Sequence, residues 1–150
     1  MQNHSPIQSY RASDHAVDGL LRGLAAGAAM MAVLVLATLA SGGDWAAMVA
    51  SFAAEGNVRP WNGMLAHLAI SAIYGIFWGL GESLLLRNMT LPRWLWGAIY
   101  GLSLYAVAQL GILPGTALFQ IPAALFLVAH VIYGVTLGLL QDLARAPARG

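Results

Sequence analysis

Long apolar runs separated by short polar stretches make up most of this chain. Four of the runs approach the ~20 residues that an α-helix needs to cross the hydrocarbon core of a bilayer. A shorter amphipathic stretch over residues 44–53 begins with Asp44, a suitable N-cap, and predicts a short helix in the headgroup region. We expect membrane-spanning helices over residues 19–40, 64–86, 94–113 and 121–143.

The two ends of the chain are polar and lie outside these spans. Residues 1–18 predict a cytoplasmic tail, and residues 144–150 predict a basic cytoplasmic tail. Arg11 and Arg22 precede an apolar run, which is also the arrangement of a signal peptide. Because that run exceeds the roughly 7–15 residues of a signal-peptide core, we interpret it as the first span.

The composition supports a membrane protein. The chain is 59% hydrophobic and 9% charged, whereas a soluble domain carries roughly 25% charged residues. So few charges cannot cover a surface that faces water, so lipid is expected to be the solvent. The absence of cysteine excludes disulfides, thiolate metal sites and cysteine nucleophiles. The net charge of +1 gives no reason to expect a nucleic acid partner.

Arginine placement predicts the orientation of the spans. One arginine, Arg59, lies in the first loop between spans, and the third loop has none. Cytoplasmic segments of membrane proteins carry an excess of Lys and Arg. Both termini and the central loop are therefore expected to be cytoplasmic, because they hold the other arginines: Arg11, Arg22, Arg87, Arg93, Arg145 and Arg149.

Glycine pairs at four-residue spacing occur in every span, and their order repeats. The first and third spans share one pattern, and the second and fourth share Tyr-Gly-x-x-x-Gly, beginning at Tyr74 and Tyr133. We therefore expect an all-α integral membrane protein: a four-transmembrane-helix bundle built from two parallel-repeat helical hairpins. Such glycines let helix backbones approach closely. Those expected at helix contacts are Gly23, Gly27, Gly75, Gly79, Gly97, Gly101, Gly134 and Gly138.

Two intramembrane histidines are the first candidates for a functional site. His67 and His130 lie on different spans, and such a pair can hold a haem through its axial positions. Their depths differ by about 6 Å and the repeat does not make them equivalent, so hydrogen bonds to neighbouring helices are the favoured interpretation. Because glycines concentrate in the cytoplasmic half, the other half is expected either to hold a small polar cleft opening outward or to be filled by bulky side chains. The polar candidates there are His67, Tyr105, Gln109, Gln120 and His130.

Glu82 is the second candidate, near the cytoplasmic end of its span. Arg22 is expected at a similar depth. A carboxylate within the membrane either pairs with a cation or serves an ion path. We favour a structural Glu82–Arg22 ion pair over a proton relay.

The sequence contains none of the catalytic motifs that can be recognised from spacing. It has no nucleotide-binding glycine loop, no His-Glu-x-x-His and no Gly-x-Ser-x-Gly, so we expect no catalysis. The leading interpretation is a non-catalytic interaction module, acting as a homo-oligomer or as an accessory subunit of a larger membrane complex. One alternative is an outer-leaflet cleft that binds a small molecule or cofactor, with haem b or a quinone as ligand. The other is an oligomeric channel or transporter. We favour the absence of a cofactor over the presence of haem.

Three features give the chain a resemblance to known proteins. They are the glycine-spaced first helix, the His and Tyr-Gly of the even-numbered helices, and the two repeated hairpins. Over roughly residues 19–143 the chain resembles small four-helix bacterial inner-membrane proteins of unknown function. The resemblance implies a multi-pass protein of the bacterial inner membrane, with no reaction attached to it.

Overall fold

The computed structural model describes residues 12–53, 59–85, 91–112 and 121–145, and these ranges are helical with short turns and no strand. The expected all-α structure is therefore confirmed for these ranges. The elements are α1 (Ala12–Ala40), α2 (Trp45–Ala50), α3 (Pro60–Leu85), α4 (Arg93–Val107) and α5 (Ala123–Arg145). A π-helical segment, Ala108–Ile112, continues α4 without a break.

Three of the described helices are long and apolar enough to cross a membrane. They are α1, α3 and α5, through the windows Ser13–Ala40, Pro60–Glu82 and Ala123–Ala144. The helix α4 has 15 residues, fewer than the ~20 that a span needs. The π-helical segment lengthens it by 5 residues to Ile112. Within the predicted span 94–113, the structure therefore has a shorter α-helix that is followed by a π-helical segment.

The first helix begins earlier than the sequence predicts. Residues 12–18 of the expected tail belong to α1, and residues 1–11 lie outside the described residues. Asp14 lies in the first turn, where a negative charge is favourable near the positive end of the helix dipole. Asp18 pairs with Arg22 one turn later at 3.3 Å, which supports the same extension. The expected central turn at Arg87 and the end of the basic tail also lie outside the described ranges.

The short helix α2 is capped as its sequence predicts. Oδ1 of Asp44 accepts hydrogen bonds from the backbone N–H groups of Ala46 at 2.8 Å and Ala47 at 3.1 Å. Val49 is buried, and its carbonyl group lies against Gly63 near the start of α3. The helix α2 therefore packs on the bundle, and we call this side of the molecule the α2 end.

Glycines join the helices into two antiparallel hairpins. The helix α1 packs along α3, and α4 packs along α5. In the first hairpin a Cβ atom built on Gly75 would lie 2.9 Å from the backbone nitrogen of Gly23. In the second, a Cβ atom on Gly134 would lie 2.8 Å from the backbone nitrogen of Gly101. These crossings leave no room for a side chain, which is why glycine occupies them.

The two hairpins meet unequally. The helix α1 packs along α5, whereas α3 and α4 have no comparable backbone contact among the described residues. If the hairpins were related by a two-fold axis, these two contacts would be equivalent. In the structure α1 packs against α5, whereas a groove runs between α3 and α4. We call it the α3–α4 groove, and the end where Arg93 lies is the arginine end.

Candidate functional site

A cavity of about 90 Å³ lies between the two hairpins, toward the α2 end. All four long helices and the segment after α2 contribute to its wall. Most of the wall is apolar or aromatic, and two imidazole rings, one serine and two tyrosines interrupt it. We call it the histidine cavity; its lining residues are Met30, Phe52, His67, Ile70, Ser71, Tyr74, Leu104, Ala108, Phe126, His130 and Tyr133.

His67 is fixed in the wall by a bond across the first hairpin. The side chain is 5% exposed, and Nε2 lies 3.0 Å from the carbonyl oxygen of Gly27. A carbonyl oxygen can only accept, so Nε2 carries the proton and the neutral ring keeps Nδ1 as an acceptor. The ring of Phe52 packs edge-on against the imidazole, with centroids 5.0 Å apart.

His130 is fixed within its own helix. Its side chain is 8% exposed, and Nδ1 donates to the carbonyl oxygen of Phe126 at 2.8 Å. By the same reasoning, Nε2 is the acceptor of this neutral ring. Phe126 packs on the imidazole at 4.3 Å between centroids, and Tyr105 packs on it at 6.0 Å. The cavity wall therefore carries two imidazoles, each with one nitrogen committed to a backbone carbonyl.

Two tyrosines hold α3 to the second hairpin on the arginine side of the cavity. The hydroxyl of Tyr133 donates to the carbonyl oxygen of Ser71 at 2.7 Å. The hydroxyl of Tyr100 donates to the carbonyl oxygen of Tyr74 at 2.8 Å and crosses the α3–α4 groove. These bonds fix the cavity wall without using α3–α4 backbone packing.

The polar residues expected in the cleft divide into three groups. His67 and His130 line the same cavity. Tyr105 is half-buried one ring behind it, against Phe126 at 6.3 Å. Gln109 is half-buried in the π-helical segment and does not line the cavity, and Gln120 lies outside the described residues.

The sequence does not predict several of the residues that line the histidine cavity. Ala108 lines the cavity from the first residue of the π-helical segment, a geometry frequent at functional sites. Phe52 reaches the cavity from the loop after α2, which apolar periodicity alone does not reveal. Tyr74 and Tyr133 are marked in the sequence, since they are the tyrosines of the repeated Tyr-Gly pattern.

The residues present do not suit haem or a metal ion. Pockets that bury a drug-sized ligand measure roughly 300–1,000 Å³, whereas the histidine cavity measures about 90 Å³. No group of three or more metal-binding side chains occurs among the described residues. The pair His67 and His130 therefore offers hydrogen-bond acceptors rather than a complete ligand set.

A second polar cluster lies at the arginine end. Glu82 is 1% exposed; Oε1 accepts from Nε of Arg93 at 3.2 Å, and Oε2 accepts from Nε2 of Gln141 at 3.0 Å. Oε1 of Gln141 accepts from Arg22, which also pairs with Asp18. Gln141 therefore links Glu82 to Arg22, and the expected direct Glu82–Arg22 ion pair stays a prediction.

Arg93 brings a second arginine to this cluster. Arg93 opens α4 and places its guanidinium between Glu82 and Asp142, at 3.2 Å and 3.6 Å. Gln141 corresponds to Glu82 in the repeat, and the two side chains meet at the contact between hairpins.

Comparisons with protein-family models, with characterised proteins and with solved structures find no match to this chain. The resemblance to small bacterial inner-membrane proteins therefore stays a prediction.

Proposed function

We propose that this chain is a membrane protein whose histidine cavity binds a small, membrane-dissolved molecule with a hydroxyl-bearing ring, of the quinol or phenol class. In this proposal α4 and the π-helical segment together form a fourth span. The arginine distribution supports cytoplasmic termini, and the resemblance supports a bacterial inner membrane. The single observation that carries the ligand proposal is that His67 and His130 line one cavity.

The chemistry of the two imidazoles favours a ligand with hydrogen-bond donors. Nδ1 of His67 and Nε2 of His130 are acceptors in the neutral rings, because the other nitrogens donate to Gly27 and Phe126. A ring hydroxyl donates to such a nitrogen. An oxidised quinone presents only carbonyl acceptors and cannot. The site is therefore expected to distinguish a quinol from its quinone.

The size of the cavity favours one ring rather than a large cofactor. An engineered apolar cavity of about 150 Å³ binds benzene. The histidine cavity, at about 90 Å³, can therefore enclose only part of one ring. Ile70, which is half exposed, forms part of its wall and places the cavity beside the lipid-facing surface of α3. A ring entering from the α3–α4 groove can leave part of its substituents outside.

The glycines weaken the leading interpretation from the sequence, a non-catalytic interaction module. Glycine stripes left on the lipid-facing surface would favour association with another helix bundle. Gly23, Gly75, Gly97 and Gly134 instead face backbone of the partner helix inside each hairpin. They contribute to the internal packing of the chain, so they provide no argument for association with another copy or another subunit.

The direct test measures affinity for a short-chain quinol and for the matching quinone in lipid nanodiscs. The quinol is expected to bind more tightly. His130→Phe keeps a ring of similar shape and removes the acceptor. Since a neutral hydrogen bond contributes roughly 0.5–1.5 kcal/mol, we expect a two- to tenfold rise in Kd for the quinol.

Tyr105→Phe is the matched control. It removes a hydroxyl one ring away from the histidine cavity and leaves both imidazoles in place. Its Kd for the quinol should equal that of the wild type. Equal affinity of the wild type for quinol and quinone, or no binding of either, contradicts the proposal.

A further inference from the structure

A second cavity lies in the α3–α4 groove, on the arginine side of the Tyr100–Tyr74 hydrogen bond. It measures about 330 Å³, and Trp78, Trp96, Tyr100 and Glu82 contribute to its wall. Gly81 also contributes, and a Cβ atom built there would meet nothing within 4 Å, so the wall is open at that point. We call this space the indole groove.

Two buried donors in the wall of the indole groove have no acceptor. They are Nε1 of Trp78 and Nε1 of Trp96, which are the buried side-chain nitrogen or oxygen atoms left unpartnered within the described ranges. An indole N–H can only donate. A buried donor without an acceptor is unfavourable, and such groups in native proteins mark a missing water, ion or ligand. That both occur on one groove points to a shared cause.

The protein itself does not supply the acceptor. Both carboxylate oxygens of Glu82 already accept, one from Arg93 and one from Gln141. The hydroxyl of Tyr100 is bound to the carbonyl oxygen of Tyr74. No oxygen of the described residues lies within hydrogen-bond distance of either indole N–H, so we look for the acceptor in a molecule that enters the groove.

We propose that the indole groove binds the ester carbonyl oxygens of a membrane phospholipid. The esters of a phospholipid lie at the boundary between headgroup and hydrocarbon, which is also the depth that tryptophan prefers. Trp96 lies one turn from Arg93, at the arginine end of α4. The volume of about 330 Å³ falls within the range of small-molecule sites.

The apolar side of the groove extends the site toward the acyl chains. Phe77 on α3 and Ile99 on α4 line the same space and are 60% and 43% exposed. Such exposed apolar side chains are in contact with lipid tails in a spanning helix. One lipid can therefore place its carbonyl oxygens at the two indoles and its chains along these residues.

The test compares two phospholipids that share headgroup and chain length. One is a diacyl phosphatidylglycerol, which has ester carbonyls, and the other is its dialkyl ether analogue, which lacks them. Native mass spectrometry of the full chain released from mixed vesicles measures which lipid stays bound. We expect at least a fivefold preference for the ester lipid. Equal retention of the two lipids overturns the proposal.

Two substitutions locate the preference. Trp78→Phe and Trp96→Phe remove the N–H groups, and each should reduce the ester preference. Trp94→Phe, at an exposed tryptophan on the same helix that does not line the groove, should leave it unchanged. Where a phenylalanine variant does not fold, benzothienylalanine at the same position replaces N–H by sulfur and keeps the ring. A preference that survives loss of both N–H groups refutes the assignment.

A membrane quinone is the competing source of a carbonyl acceptor. Vesicles made of the ether lipid alone, with a short-chain quinone added, separate the two sources. Quinone bound at the indole groove is recognised as quinone that the wild type retains and Trp78→Phe does not. We expect no quinone of this kind. Quinone retained in this way identifies a quinone site and contradicts the phospholipid proposal. This result does not depend on the histidine cavity, since His130→Phe leaves the indoles in place.

Discussion

Gly75→Ala tests how the first hairpin is held together. A Cβ atom at this position would lie 2.9 Å from the backbone nitrogen of Gly23 and also overlap the carbonyl group of Gly19. Both obstacles are backbone, which cannot rotate away as a side-chain end can. The helices α1 and α3 must therefore separate along the crossing. Overpacking of a close contact costs about 1–3 kcal/mol, so we expect a loss of this size.

Gly81→Ala on the same helix is the matched control. A Cβ atom there meets nothing within 4 Å. Because glycine inside a helix is less favourable than alanine by about 0.5–1 kcal/mol, the control should be neutral or stabilising. The two variants carry the same chemical change six residues apart on one helix, and only Gly75→Ala should lower stability.

Thermal unfolding in detergent, followed by circular dichroism at 222 nm, measures both variants under one condition. A lower midpoint for Gly75→Ala together with an unchanged or higher midpoint for Gly81→Ala is the expected result. If the two variants shift equally, the glycine crossing does not determine the stability of the hairpin.

Three further predictions concern the arginine end, the orientation and α2. Gln141→Leu should destabilise the fold by about 1–3 kcal/mol in the same unfolding assay, because it removes a hydrogen-bond partner from the buried carboxylate of Glu82; an unchanged midpoint would show that the link is dispensable. An impermeant thiol reagent on intact cells should label Asn57→Cys and not Asn88→Cys; the reverse result overturns the orientation. Asp44→Ala should lower stability by about 0.5–2 kcal/mol through loss of the N-cap, and Asp44→Asn should retain most of it.

Local signals in the sequence predict the helical elements and the cap of α2. The helices arise from long apolar runs, and Asp44 caps α2 because its side chain accepts from the N–H groups of Ala46 and Ala47. The start of α1 was missed because residues 12–18 look polar. Packing of the His15 carbonyl group against Gly79 and the Asp18–Arg22 pair extend the helix through them.

The candidate site depends on relations between helices, which the sequence does not state. Their place within the spans makes His67 and His130 candidates but does not reveal that both line one cavity. The Glu82–Arg93 pair is not apparent from the sequence, because depth along the span alone favours Arg22. The α3–α4 groove was missed for a related reason. A repeat predicts two equivalent contacts, and nothing in the sequence indicates which of them remains open.

Nitrogen-15 NMR of histidine-labelled protein in nanodiscs tests the ligand proposal most directly. The measurement follows each ring nitrogen separately while a short-chain quinol is added. We expect the signals of Nδ1 of His67 and Nε2 of His130 to shift to lower frequency as they accept hydrogen bonds. The nitrogens bound to Gly27 and Phe126 should stay in place. Unchanged acceptor signals at saturating quinol, or the same shifts with the oxidised quinone, would contradict a hydroxyl-binding site in the histidine cavity.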